Sequence, residues 1–179
     1  ASGRMLHAIF GLPALYVIAR VVWPLPWPLA VKLAVALVIL AASQFHFWNR
    51  LSSGSIFDPE FSRVAIILFN WAIGTMVLLG VVHLVLDAVI LVSKALPGTG
   101  WAVRTNWRYT IALCAMVMSA YAVSQAIRVP PLKDVDLPVR NLPPEFDGYR
   151  LLQLTDLHVS RLFTASWTTS VVERALAAD

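Results

Sequence analysis

An acidic and a basic side chain stand two residues apart in the segment "YRLLQLTDLHVS". Asp156 ends the apolar part of this segment, and His158 follows it. In an extended chain, residues two apart point to the same side, so the carboxylate and the imidazole would converge on one point. Carboxylate oxygens and imidazole nitrogens are ligands for Mn, Fe and Zn, and two such cations could clamp a phosphate. The pair therefore predicts a metal site for phosphate chemistry, although Asp-x-His triplets also occur by chance in many loops.

The segments around this pair predict the start of an α/β layer over residues 129–179. The alternation of apolar and polar residues in "VDLPV" predicts an edge strand, and "NLPPEFDG" predicts a turn. The segment "YRLLQLT" predicts a more buried strand, and "TASWTTSVVERALAAD" predicts an amphipathic helix. We therefore expect the order strand, turn, strand, loop, helix, with the pair at the end of the second strand, where open α/β sheets hold their ligands.

The stretch "FDGYRLLQLTDLHVS" resembles the opening motif of the calcineurin-like metallophosphoesterases. It is most similar to their bacterial membrane-associated branch, several members of which carry an N-terminal multi-span region. The resemblance implies a phosphoric ester hydrolase or pyrophosphatase with a dinuclear Mn, Fe or Zn centre, in which Asp156 bridges the two metals and His158 binds one of them. Thr155 stands where Ser is more usual. The matching residues are Gly148, Arg150, Leu151, Gln153, Leu154, Asp156, Leu157 and His158.

That family completes its metal site with Gly-Asp and Gly-Asn-His motifs and with further histidines. None of these motifs appears in the 179 residues. Two ligands do not make a closed dinuclear centre. We therefore expect the 179 residues by themselves not to be catalytic, so that the enzyme domain either continues in further sequence or has been lost.

Most of the chain has the composition of a membrane protein, with 59% hydrophobic and 13% charged residues. This charged fraction is about half of that in soluble domains. Four apolar runs predict a four-helix transmembrane domain over residues 1–128, which places both ends of this domain on the same side. The prolines of "WPLPWP" end the first span, and "PGTG" at 97–100 ends the third. The predicted spans are about 5–22, 29–48, 61–96 and 107–127.

The charges of the chain exclude some partners but assign no sidedness. The net charge of +4 forms no basic tract, which argues against nucleic acid as a partner. Five cationic residues flank the spans on each side, so the positive-inside rule selects neither orientation. By resemblance, we expect a multi-pass protein of the bacterial cytoplasmic membrane, in contact with its lipids. The cationic residues are Arg4, Arg50, Arg63, Arg128 and Lys133 on one side, and Arg20, Lys32, Lys94, Arg104 and Arg108 on the other.

The third apolar run contains an ionisable pair, His83 and Asp87, four residues apart on one helix face. Charges inside a membrane are costly unless paired, so this spacing indicates an intramembrane polar site. The alternative is that Asp87 lies near the helix end and is solvated or paired with Lys94. In the same run, Gly74 and Gly80 predict either a bend or close packing against a neighbouring helix.

Two classes of function follow from these patterns. The first is the membrane anchor and first strands of a metal-dependent phosphoesterase or pyrophosphatase that acts on a lipid-linked or membrane-proximal phosphate. The second is a structural or accessory transmembrane subunit of a larger membrane protein complex. A transporter has little support, because the sequence shows four spans and no internal repeat.

Overall fold

The computed structural model describes residues 2–96 and 102–177, and this part of the chain contains six α-helices. The chain divides into two compact units, Ala1–Ala126 and Ile127–Asp179, which we call the membrane unit and the tail unit. A π-helical segment, Ile18–Val22, continues the first helix, and a 3-10 turn, Pro144–Phe146, lies in the tail unit. The α-helices are α1 (Ser2–Val17), α2 (Leu29–Ser43), α3 (Phe45–Ser53), α4 (Arg63–Ala95), α5 (Thr105–Ile127) and α6 (Ala165–Leu176).

The membrane unit contains three helices that are long and apolar enough to cross a bilayer. They are Met5–Val22, which includes the π-helical segment, and the helices α4 and α5. The helices α2 and α3 would form a fourth span if the pair is counted as one. Between the first two spans, "WPLPWP" contains no helix, as its three prolines predict. The predicted stop at "PGTG" lies outside the described residues.

The second predicted span is divided at Gln44, where the chain bends by 57° between α2 and α3. The Leu40 carbonyl there accepts from a side chain in place of its helical donor, and the Ala41 carbonyl accepts from a side chain as well as from the Gln44 N–H at 3.2 Å. The hydroxyl of Ser43 donates to the Leu40 carbonyl at 2.8 Å, and the Trp48 indole donates to the Ala41 carbonyl at 2.8 Å. Such side-chain bonds to the preceding turn bend helices. The apolar run at 29–48 therefore predicted helical structure but not its bend, and a crossing of the membrane by this pair stays a prediction.

The core of the membrane unit lies where α1 and α4 pack against each other and against α2, and α5 adds Ala115 to it. Helices α4 and α5 approach closely at Gly74 and Ser119, since a Cβ atom at position 74 would lie 2.4 Å from the Ser119 hydroxyl oxygen. That hydroxyl donates to the Trp71 carbonyl at 2.8 Å, and the Trp71 indole donates to the Met116 carbonyl at 2.9 Å. The predicted close packing at Gly74 is therefore confirmed. The buried apolar residues are Ala14, Val17, Val21, Met76, Leu79 and Ala115.

The tail unit corrects the predicted fold class. No strand forms in residues 102–177, so the expected strand-strand-helix start of an α/β domain is wrong for this part of the chain. The segments 135–139 and 149–155 are irregular, and their apolar side chains are exposed, with Leu137 at 73% and Leu151 at 79%. A strand needs a neighbour to satisfy its backbone N–H and C=O groups. Alternation of apolar and polar residues shows how a strand would face, but it does not supply that neighbour.

The predicted helix of the tail unit is present as α6. The Thr164 hydroxyl caps its first turn by accepting from the Trp167 N–H, and Val171 and Ala175 are buried. The guanidinium of Arg174 donates to the carbonyls of Val129 and Pro130 at 3.1 and 3.2 Å. These contacts hold the start of the tail unit against α6. The predicted turn over "NLPPEFDG" is also present, because it contains the 3-10 turn and a left-handed glycine, Gly148.

Candidate functional site

The predicted metal ligands, Asp156 and His158, lie in an irregular segment before α6, and both are exposed. Asp156 has a left-handed backbone with φ of 57°, which is uncommon for residues other than glycine. The N–H of His158 donates to the Asp156 carbonyl at 2.8 Å, which closes a tight turn between the two residues. The extended geometry from which we predicted convergence of the two side chains is therefore absent at Asp156, and the turn is what keeps these residues close.

The donor set of this turn, one carboxylate and one imidazole, is suited to a divalent cation of the Mn, Fe or Zn type. Both side chains are open to solvent, so their donor atoms are accessible. Over residues 2–96 and 102–177, no group of three or more His, Cys, Asp and Glu side chains is placed to hold a metal. The turn therefore offers two donor groups, which is fewer than a dinuclear centre needs.

A second group of polar contacts lies where the first span ends. The N–H of Trp23 donates to the Ile18 carbonyl at 2.9 Å, one residue further than in an α-helix. Pro24 has no N–H, so the Arg20 carbonyl lacks its α-helical donor. The guanidinium of Arg108, at the start of α5, donates to this carbonyl instead. A long side chain from another helix therefore satisfies the backbone group that the proline left without a donor.

Lys32 lies at the same end of the membrane unit. Its ammonium donates to the Trp23 carbonyl at 2.8 Å and lies 5.7 Å from the centre of the Trp23 ring. Arg20, Arg108 and Lys32, which lie in three different helical segments, thus gather around the end of the first span. Of these three cations, Arg20 forms an ion pair with the carboxylate of Asp87.

The Asp87 carboxylate on α4 is bound by two residues of the first span. It accepts from the Tyr16 hydroxyl at 2.7 Å and from the Arg20 guanidinium at 2.8 Å. Tyr16 and Arg20 are four residues apart, so they lie on the same face of the helical segment. Neither His83 nor Lys94 is a partner of Asp87 in the described part of the chain. An Asp-Arg-Tyr cluster (Tyr16, Arg20 and Asp87) therefore stands where we had predicted a pair within α4.

His83 makes its hydrogen-bond contact within α4 and not with that cluster. The side chain is 3% exposed, and its Nδ1 atom lies 2.9 Å from the Leu79 carbonyl of the preceding turn. Its Nε2 atom is buried, and no hydrogen-bond partner is found for it among the described residues. His83 and Asp87 share a helix face, as the spacing predicted, but the structure joins them by no hydrogen bond.

A third polar group, the histidine cluster, consists of His7, Gln44 and His46. His7 Nδ1 lies 2.5 Å from Gln44 Oε1 and 3.1 Å from His46 Nε2. The bend between α2 and α3 places Gln44 and His46 next to α1. Gly11 lies next to this amide, since a Cβ atom at that position would be in ordinary van der Waals contact with Gln44 Nε2, at 3.5 Å. The contact of Gln44 with His7 joins the bend to α1.

The sequence carried a signal for the Asp-Arg-Tyr cluster that our prediction did not use. Tyr16 and Arg20 are polar residues at a spacing of four within an apolar run, and Arg20 is an obvious candidate partner for an intramembrane carboxylate. The histidine cluster had a weaker signal, because His7 and His46 are 39 residues apart and only the bend at Gln44 brings them together.

Comparison with known proteins gives no match of any of three kinds. No protein-family model matches the chain, and no curated protein and no solved structure is detectably similar to it. The likeness of the tail motif to metallophosphoesterases therefore rests on the residues of that motif alone.

Proposed function

We propose that the chain is the membrane anchor and first metal-binding segment of a metal-dependent phosphoester hydrolase. The observation that carries this proposal is the turn at Asp156, where an exposed carboxylate on a left-handed backbone is followed two residues later by an exposed imidazole. Asp adopts this conformation more readily than most residues, as Asn141 of the same unit also does, and left-handed residues other than glycine cluster at functional sites. The sequence around the turn has the residue pattern of the metallophosphoesterase opening motif.

Asp156 and His158 are the residues that would hold the metal, through a carboxylate oxygen and an imidazole nitrogen. A divalent metal bound there supplies a Lewis acid and lowers the pKa of a bound water. The capped helix α6 follows directly and fixes the chain after the ligands, since Thr164 binds its first turn.

The three or four apolar helices support a location at a membrane surface. With four crossings, both ends of the membrane unit lie on one side, and the tail unit follows the last crossing immediately. The substrate class that fits this location is a lipid-linked or membrane-proximal phosphate, and the membrane that the resemblance indicates is the bacterial cytoplasmic membrane.

The test uses the full-length product of the gene, purified in detergent from membranes and supplied with Mn²⁺. Hydrolysis of a chromogenic phosphodiester and of a lipid pyrophosphate is measured for the wild type and for Asp156→Asn and His158→Ala. Asparagine also tolerates the left-handed conformation, so Asp156→Asn removes charge and leaves the turn in place. We expect each variant to lose activity by at least about 100-fold, the upper end of what substitutions around metal ligands cost.

Asp147→Asn is the matched control, because Asp147 is another exposed carboxylate of the same irregular segment. It should retain wild-type activity. Absence of any metal-dependent hydrolysis in the full-length protein would contradict the proposal, as would equal loss in the Asp147 variant.

A second candidate function is that of an accessory transmembrane subunit. It is favoured by the exposed apolar side chains of the tail unit, which include Leu137 and Leu151. Exposed apolar patches mark interaction sites in soluble parts of proteins. This function predicts a stoichiometric protein complex after gentle extraction and no hydrolysis, whereas the hydrolase predicts activity in a preparation that contains this protein alone.

A further inference from the structure

In the histidine cluster, His7 Nδ1 contacts both Gln44 Oε1 and His46 Nε2, but one proton can complete only one of these contacts as a full hydrogen bond. A neutral imidazole nitrogen either donates one proton or offers one lone pair. If His7 Nδ1 donates, Gln44 Oε1 and His46 Nε2 must share its single proton. If His7 Nδ1 instead accepts a proton from His46 Nε2, no proton lies between His7 Nδ1 and Gln44 Oε1. Neither arrangement makes both contacts full hydrogen bonds.

The orientation of the Gln44 amide is set by its other contact. Gln44 Nε2 donates to the Ser43 hydroxyl at 3.1 Å, and that hydroxyl gives its own proton to the Leu40 carbonyl at 2.8 Å. Turning the amide around would place its oxygen against a hydroxyl oxygen whose proton is already used. The amide oxygen therefore faces His7, and it presents a lone pair to the cluster.

The His46 ring is held by aromatic neighbours. It stacks on Phe10 with ring centres 5.4 Å apart, and the edge of Phe45 lies against it. The side chain is 5% exposed, and within the described residues its Nδ1 atom has no hydrogen-bond partner. Since a neutral imidazole carries one proton, placing that proton on Nδ1 leaves Nε2 as a lone pair that faces His7.

We propose that the histidine cluster binds one transition-metal ion of the Zn²⁺ type through His7 Nδ1, His46 Nε2 and Gln44 Oε1. A cation among these atoms accepts all three lone pairs, which no single proton can do. Imidazole nitrogens suit Zn, Cu and Ni, and three protein ligands with a water in the fourth position form an open zinc site. His7 is exposed, so that face of the cluster leaves room for entry and for the water. This site is separate from the turn at Asp156 and does not depend on the proposed hydrolase function.

The test measures Zn²⁺ binding to the full-length protein in detergent by equilibrium dialysis, with the turn at Asp156 disabled by Asp156→Asn and His158→Ala together. We expect one zinc per chain to remain bound in this background. Adding His7→Gln should weaken the remaining binding by at least about tenfold, which is the smallest loss expected around a metal ligand. His83→Gln, which changes a histidine of the same unit outside the cluster, should leave it unchanged.

His7 is chosen over His46 because its side chain is exposed, so the variant is the less disruptive of the two. The midpoint of thermal unfolding provides a second readout, since a ligand that binds the folded state raises it. Zinc should raise the midpoint in the disabled background and in His83→Gln, but not after His7→Gln or, should that variant aggregate, after Gln44→Leu. The proposal is overturned if the disabled background binds no zinc, or if His7→Gln and His83→Gln bind it equally. Failure of the hydrolase proposal would leave these results unaffected.

Discussion

The guanidinium of Arg20 lies 2.8 Å from the carboxylate of Asp87, and this ion pair joins the first span to α4. The Tyr16 hydroxyl donates to the same carboxylate from one turn earlier. An unpaired charge within a membrane span is costly, so Arg20 and Asp87 each reduce the cost of placing the other in a span. The pair therefore defines which faces of the two helices meet.

The ion pair predicts an energetic coupling between Arg20 and Asp87. Asp87→Asn or Arg20→Gln alone should lower the free energy of unfolding, and the double variant should lose less than the sum, with a coupling of about 1 kcal/mol because both groups are partly exposed. A double-mutant cycle in detergent measures this value. Lys94→Gln is the control, since Lys94 is the alternative partner in the sequence. Coupling of Asp87 to Lys94 in place of Arg20 would refute the observed pairing.

The contact of Gly74 with Ser119 predicts that a side chain larger than that of glycine at position 74 disturbs the packing of α4 against α5. Gly74→Ala places a Cβ atom 2.4 Å from the Ser119 hydroxyl oxygen and should lower the free energy of unfolding by about 1–3 kcal/mol. Gly80→Ala, whose Cβ would lie 3.8 Å from Val17, should cost much less. Adding Ser119→Gly to Gly74→Ala should restore part of the loss. Equal destabilisation by the two alanine variants, in thermal or denaturant unfolding, would contradict this interface.

The donation from Arg108 to the Arg20 carbonyl predicts a dependence on Pro24. Arg108→Gln should lower the free energy of unfolding by about 1 kcal/mol, the usual net value of a hydrogen bond. In a Pro24→Ala background the cost should be smaller, because the new N–H at position 24 can donate to that carbonyl. Arg104→Gln, which removes a cation from the same end of α5, serves as the charge control. An unchanged Arg108 effect in the Pro24→Ala background would argue against this role.

The cap of α6 predicts local fraying in the tail unit. Thr164→Ala removes the side chain that accepts from the Trp167 N–H, which should weaken the first turn by about 1 kcal/mol. Hydrogen exchange at residues 165–168 should then be several times faster, while Thr164→Ser should behave as the wild type. Thr169→Ala is the control within the helix, since its hydroxyl only bonds back to the Ala165 carbonyl. Equal acceleration in both alanine variants would show that Thr164 is not the cap.

The sequence predicted the helices of the membrane unit well, because an apolar run of sufficient length bounded by prolines or polar residues has few other folds. It did not predict the bend at Gln44, since the side-chain bonds at the bend come from Ser43 and Trp48, and neither residue is unusual within a helix. The strands of the tail unit were wrong for a different reason. A strand is completed by a partner, and the pattern of one segment contains no information about its neighbour.

The candidate site residues show the same difference between what is local in the sequence and what depends on a partner helix. The role of Asp156 and His158 as metal ligands stays a prediction, since the extended spacing from which it was made is replaced by a turn at Asp156. The partner of Asp87 is in another helix and could be chosen only by matching charges between spans. His7 and His46 needed both a helix contact and a bend, and sequence spacing alone contains neither.

The π-helical segment Ile18–Val22 also sets a limit on the length of the chain at this point. A π-turn holds one residue more than an α-turn, because its backbone bonds reach five residues instead of four. Loss of one residue within the segment would therefore be absorbed by a return to α-helical bonding, and the parts before and after it would keep their orientation. Gain of a residue cannot be absorbed in this way, since each added residue turns a helix by about 100°. The segment should therefore tolerate the loss of a single residue far better than the gain of one.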